Sequence, residues 1–254
     1  MIGALRTPDD ARWYRAALAA LVVGAWGALV LWGASPYAGL LGHEENGAAG
    51  AAPLVVRLPA FVVGWTLMTV AMMLPSSLPL VNLFRRLVAS RPDANGLLAR
   101  LLVGYLAVWA AFGLAAYLGD ALLHAAVAAA PGVAWLVAPA VVLAAGAYQL
   151  TPLKHACLER CRSPYSFLVE HWRGRRAGRD ALRLGVRHGL FCLGCCWTLM
   201  LLLFAVGGMN LAWMLGLGAL MAAERATRWG QVLSRPLGFS LLAWGALQVA
   251  RLVV

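Results

Sequence analysis

Three cysteines, Cys192, Cys195 and Cys196, fall within five positions of the segment RHGLFCLGCCWTLM, and His188 stands four residues before the first of them. On an α-helix, residues at i, i+3 and i+4 share a face. His188, Cys192, Cys195 and Cys196 therefore form one stripe, which Met200 extends by a further turn. The stripe offers imidazole, thiolate and thioether in sequence. Such soft ligands select Cu(I), zinc or iron–sulfur centres, whereas Mg and Ca take oxygen. A four-ligand Cys/His set is also the usual composition of a structural zinc site. Methionines within the apolar segments contribute to Cu(I) binding and not to zinc, so Cu(I) is the favoured ion and zinc the alternative.

All five cysteines lie within 40 residues and none elsewhere. Cys157 and Cys161 are again four apart, and His155 lies two residues before the first, so a second patch is expected to close over the first. A lone cysteine in a helix packs as a small hydrophobe; five clustered at ligand spacing beside histidines point to metal ligation. In the segment WTLMTVAMMLPSS, Met68 and Met72 are one turn apart and Met73 follows. Each methionine taken singly reads as core filler. Together with Met200, however, Met68 and Met72 form a candidate intramembrane relay leading away from the thiolates. The spacing Cys192-x-x-Cys195 leaves a thiol–disulfide oxidoreductase open as a second chemistry.

Hydrophobic residues make up 62% of the 254 residues and charged residues 12%, well below the share of about 25% typical of soluble domains. Mean hydropathy is +0.76. The expected fold is all-α: a polytopic transmembrane helix bundle forming a single integral membrane domain over 1–254. Apolar stretches at about 16–34, 58–82, 97–119, 133–151, 189–207, 209–224 and 236–253 give about seven spans, each near the roughly 20 residues a bilayer requires; the length also accommodates six. Pro75 and Pro79 are expected to kink the second span or end it early. The first span has an apolar core longer than the 7–15 residues of a signal peptide and reads as a retained helix.

The net charge of +11 is loop charge rather than a nucleic-acid surface. Nineteen of the 21 basic residues fall in alternate connections, which by the positive-inside rule places the N-terminus and the Cys/Arg-rich connection 152–188 in the cytoplasm. The other connections are poor in basic residues, and the first holds His43, Glu44 and Glu45. Thiols on the cytoplasmic side stay reduced, so structural disulfides are not expected. A short interfacial helix near Pro164–Trp172 is expected to lay Phe167, Leu168 and Trp172 on the membrane, with Arg173, Arg175 and Arg176 at lipid phosphates. Polar residues in the spans are few. Glu224 and Arg228 read as an i,i+4 pair, as do Asp120 and His124 at the outer end of the third helix. Asn210, Ser76, Ser77 and Gln149 are candidates for interhelical hydrogen bonds, and Gly185 and Gly189 for close helix contact.

The segments AMMLPSSLP, YQLTPLKHACLERCRSPYSFL, HGLFCLGCCWTLM and GGMNLAWM, followed by Glu224, resemble a bacterial family described as predicted metal-binding integral membrane proteins, from about Leu58 to Gly245. Phe191 and Arg225 stand where that family carries Tyr and Lys, and neither is expected to touch a ligand. The resemblance implies a multi-pass protein of the bacterial inner membrane that binds a metal, without naming the metal. The expected function is binding of a soft ion, Cu(I) before zinc, for transport or delivery to a metallochaperone or copper-enzyme assembly partner. The alternatives are a membrane thiol oxidoreductase and a non-catalytic scaffold holding structural zinc. The residues show no nucleotide-binding loop and no Ser/His/Asp arrangement. An odd cysteine count is compatible with a site shared between protomers.

Overall fold

The long apolar runs leave no polar periodicity to support strands, and in lipid every backbone N–H and C=O must be satisfied within its own segment. Helices result. In a computed structural model, which describes residues 8–40, 53–205 and 210–253, ten α-helices and two short 3₁₀ turns account for the regular structure, with no strand among the described residues. The helices are α1 (Pro8–Gly33), α2 (Leu54–Met72), α3 (Leu74–Leu87), α4 (Ala94–Ala129), α5 (Val137–Gln149), α6 (Pro152–Arg162), α7 (Pro164–His171), α8 (Ala177–Ala205), α9 (Leu211–Ala226) and α10 (Gly230–Val253). His43, Glu44, Glu45 and the turn Gly207–Met209 lie outside the described residues.

Among the described residues, five segments are long and apolar enough to cross a membrane: Ala16–Gly33, Leu54–Met72, Ala94–Ala129, Pro131–Gln149 and Ala177–Leu203. Helices α9 and α10, expected as the sixth and seventh spans, are not among them; α9 has only 16 residues. Large side chains such as Leu31, Val55 and Leu122 lie more than two-thirds exposed on the outside of the bundle, an apolar surface suited to lipid rather than water.

The expected second span is broken. Pro75 has no N–H for the carbonyl of Ala71 and its ring crowds that carbonyl, so α2 stops at Met72 and α3 restarts at Leu74, with Pro75 in its first turn. Met73 is both the C-cap of one helix and the N-cap of the next, and is fully buried.

Helices α4 and α8 form the most extensive contact in the bundle. A Cβ on Gly185 would sit 2.0 Å from the carbonyl oxygen of Leu101, and one on Gly104 2.4 Å from that of Leu182. The two backbones approach as closely as only glycine permits. Helix α7 exists where the sequence places it, but its apolar face does not lie on the membrane. Phe167 and Leu168 are buried against α3 and α8 in a cluster with Phe84 and Leu184, and Trp172 meets Phe84 edge-on at 4.9 Å. Tyr165 and Val169 are the exposed apolar residues of this helix.

The expected pairing of Glu224 with Arg228 is replaced by another. Helix α9 ends at Ala226 and Thr227 is extended (ψ 153°), so Arg228 leaves the helical face and is exposed. Glu224 instead receives Lys154 Nζ at 2.8 and 2.9 Å and Ser234 Oγ at 2.8 Å. Lys154, the sole lysine of the chain, is fully buried and also donates to Gln149. The TPLK turn aims it: Thr151 caps α6 by accepting the Lys154 N–H, and Pro152 takes the first helical turn. Arg162 closes the same corner by donating to the backbone oxygen of Glu224. This buried ion pair joins α5, α6, α9 and α10.

Two stability outcomes follow from these contacts. Gly185→Val is expected to cost about 1–3 kcal/mol by forcing α4 and α8 apart, read as a lowered melting temperature in detergent, whereas Gly216→Ala, with nothing within 4 Å of a new Cβ, leaves it unchanged. Lys154→Met strands a buried carboxylate and is expected to cost about 3–5 kcal/mol, most of it recovered in Lys154→Met/Glu224→Met, where the charge is removed with its partner. Equal melting of single and double variants would refute this account of the pair.

Candidate metal centre

The stripe read from the sequence is one face of α8. Cys192, Cys195 and Cys196 are all buried, at 0%, 2% and 1% exposure, and all five cysteines are free thiols. Their helix faces the α2–α3 break, the close of α9 and the flank of α6. Tyr105 of α4 reaches Cys192 Sγ with its hydroxyl at 3.1 Å. The thiols of Cys195 and Cys196 lie 3.1 and 3.0 Å from the carbonyl oxygen of Cys192, toward which they donate along their own helix.

At the centre of the three sulfurs is a residue that the sequence did not assign to the site. Arg225 Nη2 lies 3.0 Å from Cys192 Sγ, 3.0 Å from Cys195 Sγ and 3.2 Å from Cys196 Sγ, and donates also to the Cys192 carbonyl at 3.2 Å. Its Nη1 donates to Ser76 Oγ at 2.6 Å, while Nε is buried with no hydrogen-bond partner. The expectation that Arg225 touches no candidate ligand is thus overturned: it touches three. A buried cation requires compensating electron density, and here sulfur supplies most of it. Among the described residues, no group of three or more His, Cys, Asp or Glu side chains is arranged to hold a metal ion as it stands; the point nearest the three sulfurs is taken by the guanidinium nitrogen.

The helix break contributes a second donor. Met73 Sδ lies 3.7 Å from Cys196 Sγ, which makes Met73, rather than Met68 or Met72, the thioether beside the thiols. Met68, Met72 and Met200 are buried in the same apolar cluster as the cysteines, and a Cβ on Gly218 of α9 would lie 3.5 Å from Met72 Cγ, in ordinary contact. Proline-induced termination of α2 was the sequence signal that would have singled out Met73.

His188 is buried but turned to one side. Its Nε2 shares a hydrogen bond with Ser77 Oγ at 3.1 Å, and its ring stacks on Tyr105 (5.5 Å) and meets Phe167 edge-on (5.7 Å). Ser76 and Ser77, on the first turns of α3, thus hold Arg225 and His188 respectively. Asn210 makes no comparable link and caps its own helix at Trp213 N.

The second patch divides. Cys157 Sγ lies 2.6 Å from where a Cβ of Gly194 would be, so this glycine lets α6 press onto α8. Cys161 is within hydrogen-bonding reach of Cys195; that bond first, and burial next, push its thiol well above the ordinary range, while burial and then the neighbouring Cys195 raise that of Cys157. His155 is on the opposite face of α6 and lines a groove of about 670 Å³ with Glu159, Gln231 and Arg235. Asp120 and His124 pair at 3.3 Å as expected and line a separate cavity of about 300 Å³ on α4 and α5.

Three thiols, a thioether and a buried cation thus meet among apolar helices at a helix break. No curated protein and no solved structure matches the chain. The PpoB2 family, described as copper chaperone, matches residues 62–248, from α2 to within α10, and the chain belongs to that family.

Proposed function

We propose that this protein binds Cu(I) within the membrane through Cys192, Cys195 and Cys196, with Met73 as a fourth, weaker ligand, and delivers it to a partner protein. The observation that carries the reading is the convergence of three sulfurs within 3.0–3.2 Å of a single cationic nitrogen, with a thioether alongside. Membership of a copper chaperone family supports copper as the ion. Sulfur-only donors suit Cu(I), whereas zinc sites usually complete a tetrahedron with histidine or a fourth thiolate. His188 directs Nε2 to Ser77 and is assigned a supporting role.

Cys161 and Cys157 are placed one step outside the main site, where Cys161 meets Cys195 and can pass an ion between helices by exchange of thiolates. His155 is assigned to first contact with incoming cargo at the groove on α6. Met68, Met72 and Met200 form the relay inward from Cys196. The arginines of connection 152–188 supply a docking face for a metallochaperone or an enzyme-assembly partner, on the cytoplasmic side of a bacterial inner membrane. The reading requires no catalysis by this chain.

Anaerobic competition for Cu(I) on detergent-purified protein tests the assignment. Wild type is expected to bind one copper ion tightly, with zinc bound weakly or not at all, and Cys192→Ser/Cys195→Ser/Cys196→Ser to lose the site. Met73→Leu, which preserves volume, is expected to weaken binding by about tenfold, or about 1.4 kcal/mol. Copper retained by the triple variant would refute the assignment, and stoichiometric zinc without copper would identify a structural zinc scaffold instead.

A further inference from the structure

Metal and guanidinium compete for the same place. A metal–thiolate bond is about 2.3 Å long, so an ion held by all three cysteines takes the ground that Arg225 Nη2 holds at 3.0–3.2 Å from the same sulfurs. The two cannot be there together. Building on the copper reading above, we propose that Arg225 is the site's exchangeable cation: it leaves the sulfur triangle when Cu(I) enters and displaces the ion when it returns.

Three observations support the exchange. The first is charge. Replacing one buried monocation by another leaves the charge unchanged at any sulfur already ionised beside Arg225, and each sulfur that is still a thiol gives up its proton to water as its bond to copper forms. A divalent ion would add a further unit of charge in a place where charge is costly. The second is the path. Arg225 is the penultimate residue of α9, followed by exposed Ala226, Thr227, Arg228 and Trp229, so rotation of a long, flexible side chain brings its guanidinium to the aqueous boundary while the stem stays in apolar surroundings. The third is the incomplete hold on the residue. Among the described residues Nε is buried with no partner, and apart from the sulfurs and the Cys192 carbonyl the guanidinium is held there only through Ser76. Glu224, the adjacent carboxylate, faces the other way and is saturated by Lys154, Gln149's neighbour, and Ser234.

Arginine modification of the wild-type protein in detergent reads the exchange directly. Phenylglyoxal is applied anaerobically to the metal-free protein, to protein loaded with Cu(I) or the redox-inert Ag(I), and to protein incubated with zinc, and each arginine is scored by peptide mass spectrometry. Arg225, 8% exposed, is expected to gain about tenfold or more in labelling rate on Cu(I) or Ag(I) loading, a factor equivalent to about 1.4 kcal/mol. Exposed Arg91 is expected to stay constant. Protection of Arg225 unchanged in protein shown to carry stoichiometric copper would overturn the proposal while leaving the copper reading intact. Failure of the wild type to take up copper would overturn both. A second arm measures transfer of bound Cu(I) to a chelator from Arg225→Met. Loss of the displacing cation is expected to slow release by about tenfold, as changes within one site act chiefly on dissociation; release at or above the wild-type rate would count against the exchange. The labelling arm uses the native chain, so it decides the matter even where Arg225→Met does not fold.

Discussion

A guanidinium buried in an apolar bundle is the constraint around which the rest of the structure is arranged. It cannot be left unpaired, since an isolated charge in such a medium is prohibitively costly, and no carboxylate among the described residues is offered to it. Its partners are three sulfurs, a serine hydroxyl and one backbone carbonyl. The adjacent carboxylate, Glu224, points away to a buried lysine. Two neighbouring residues at the end of α9 thus carry opposite charges to opposite sides: Glu224 ties α9 to α6 and α10, while Arg225 ties it to α8 and α3. The arrangement keeps Arg225 from collapsing onto the carboxylate beside it and leaves the cysteines as its counterpart. It also places a cation in the last turn of a helix, where the exposed carbonyl ends favour positive charge.

The break between α2 and α3 serves the same centre. An uninterrupted helix through residues 58–82 would keep Met73, Ser76 and Ser77 on a fixed 100° progression and bury its carbonyls in its own ladder. Termination at Pro75 shifts the axis and sets Met73 at the junction itself. It also starts a new helix whose first turns carry Ser76 toward Arg225 and Ser77 toward His188. Broken helices are tolerated inside a membrane where protein or a polar cavity satisfies the freed groups. At the restart of the helix, the carbonyl of Met73 accepts from the hydroxyls of both Ser76 and Ser77.

Much of this was legible in the residues. The cysteine stripe was readable because its members share one helix, where spacing alone fixes the face; the helix break was readable from Pro75, and the α4–α8 contact from Gly185. Interactions between distant segments were not. Arg225 is 29 positions from Cys196, and at the end of an apolar run it reads as a loop charge that orients the chain. Lys154 and Glu224 are 70 apart, and nothing local distinguishes their pairing from the i,i+4 alternative with Arg228, which failed only because α9 ends two residues too soon. The apolar face of α7 carries the same pattern whether it meets lipid or protein, so periodicity alone could not choose between them.

On the reading proposed above, the location of the sulfurs bears on why a soft-metal site would be built here and not in a water-exposed loop. Thiolates in water hold Cu(I) tightly, and a site that only captures has no reason to release. Inside the bundle, on that proposal, the same three sulfurs would meet the ion in competition with Arg225, a cation tethered to the chain. Binding is therefore a difference between two contacts rather than the full strength of one. A tethered competitor has a high effective concentration at its site, set by a single side chain rather than by a long linker, and lowers affinity without altering the ligands. With Cys161 on the adjoining helix α6 and Met73 Sδ 3.7 Å from Cys196 Sγ, an ion leaving the triangle on this proposal would have sulfur to move to in either direction. On that proposal the last step falls to a partner whose own ligands complete the exchange that Arg225 begins.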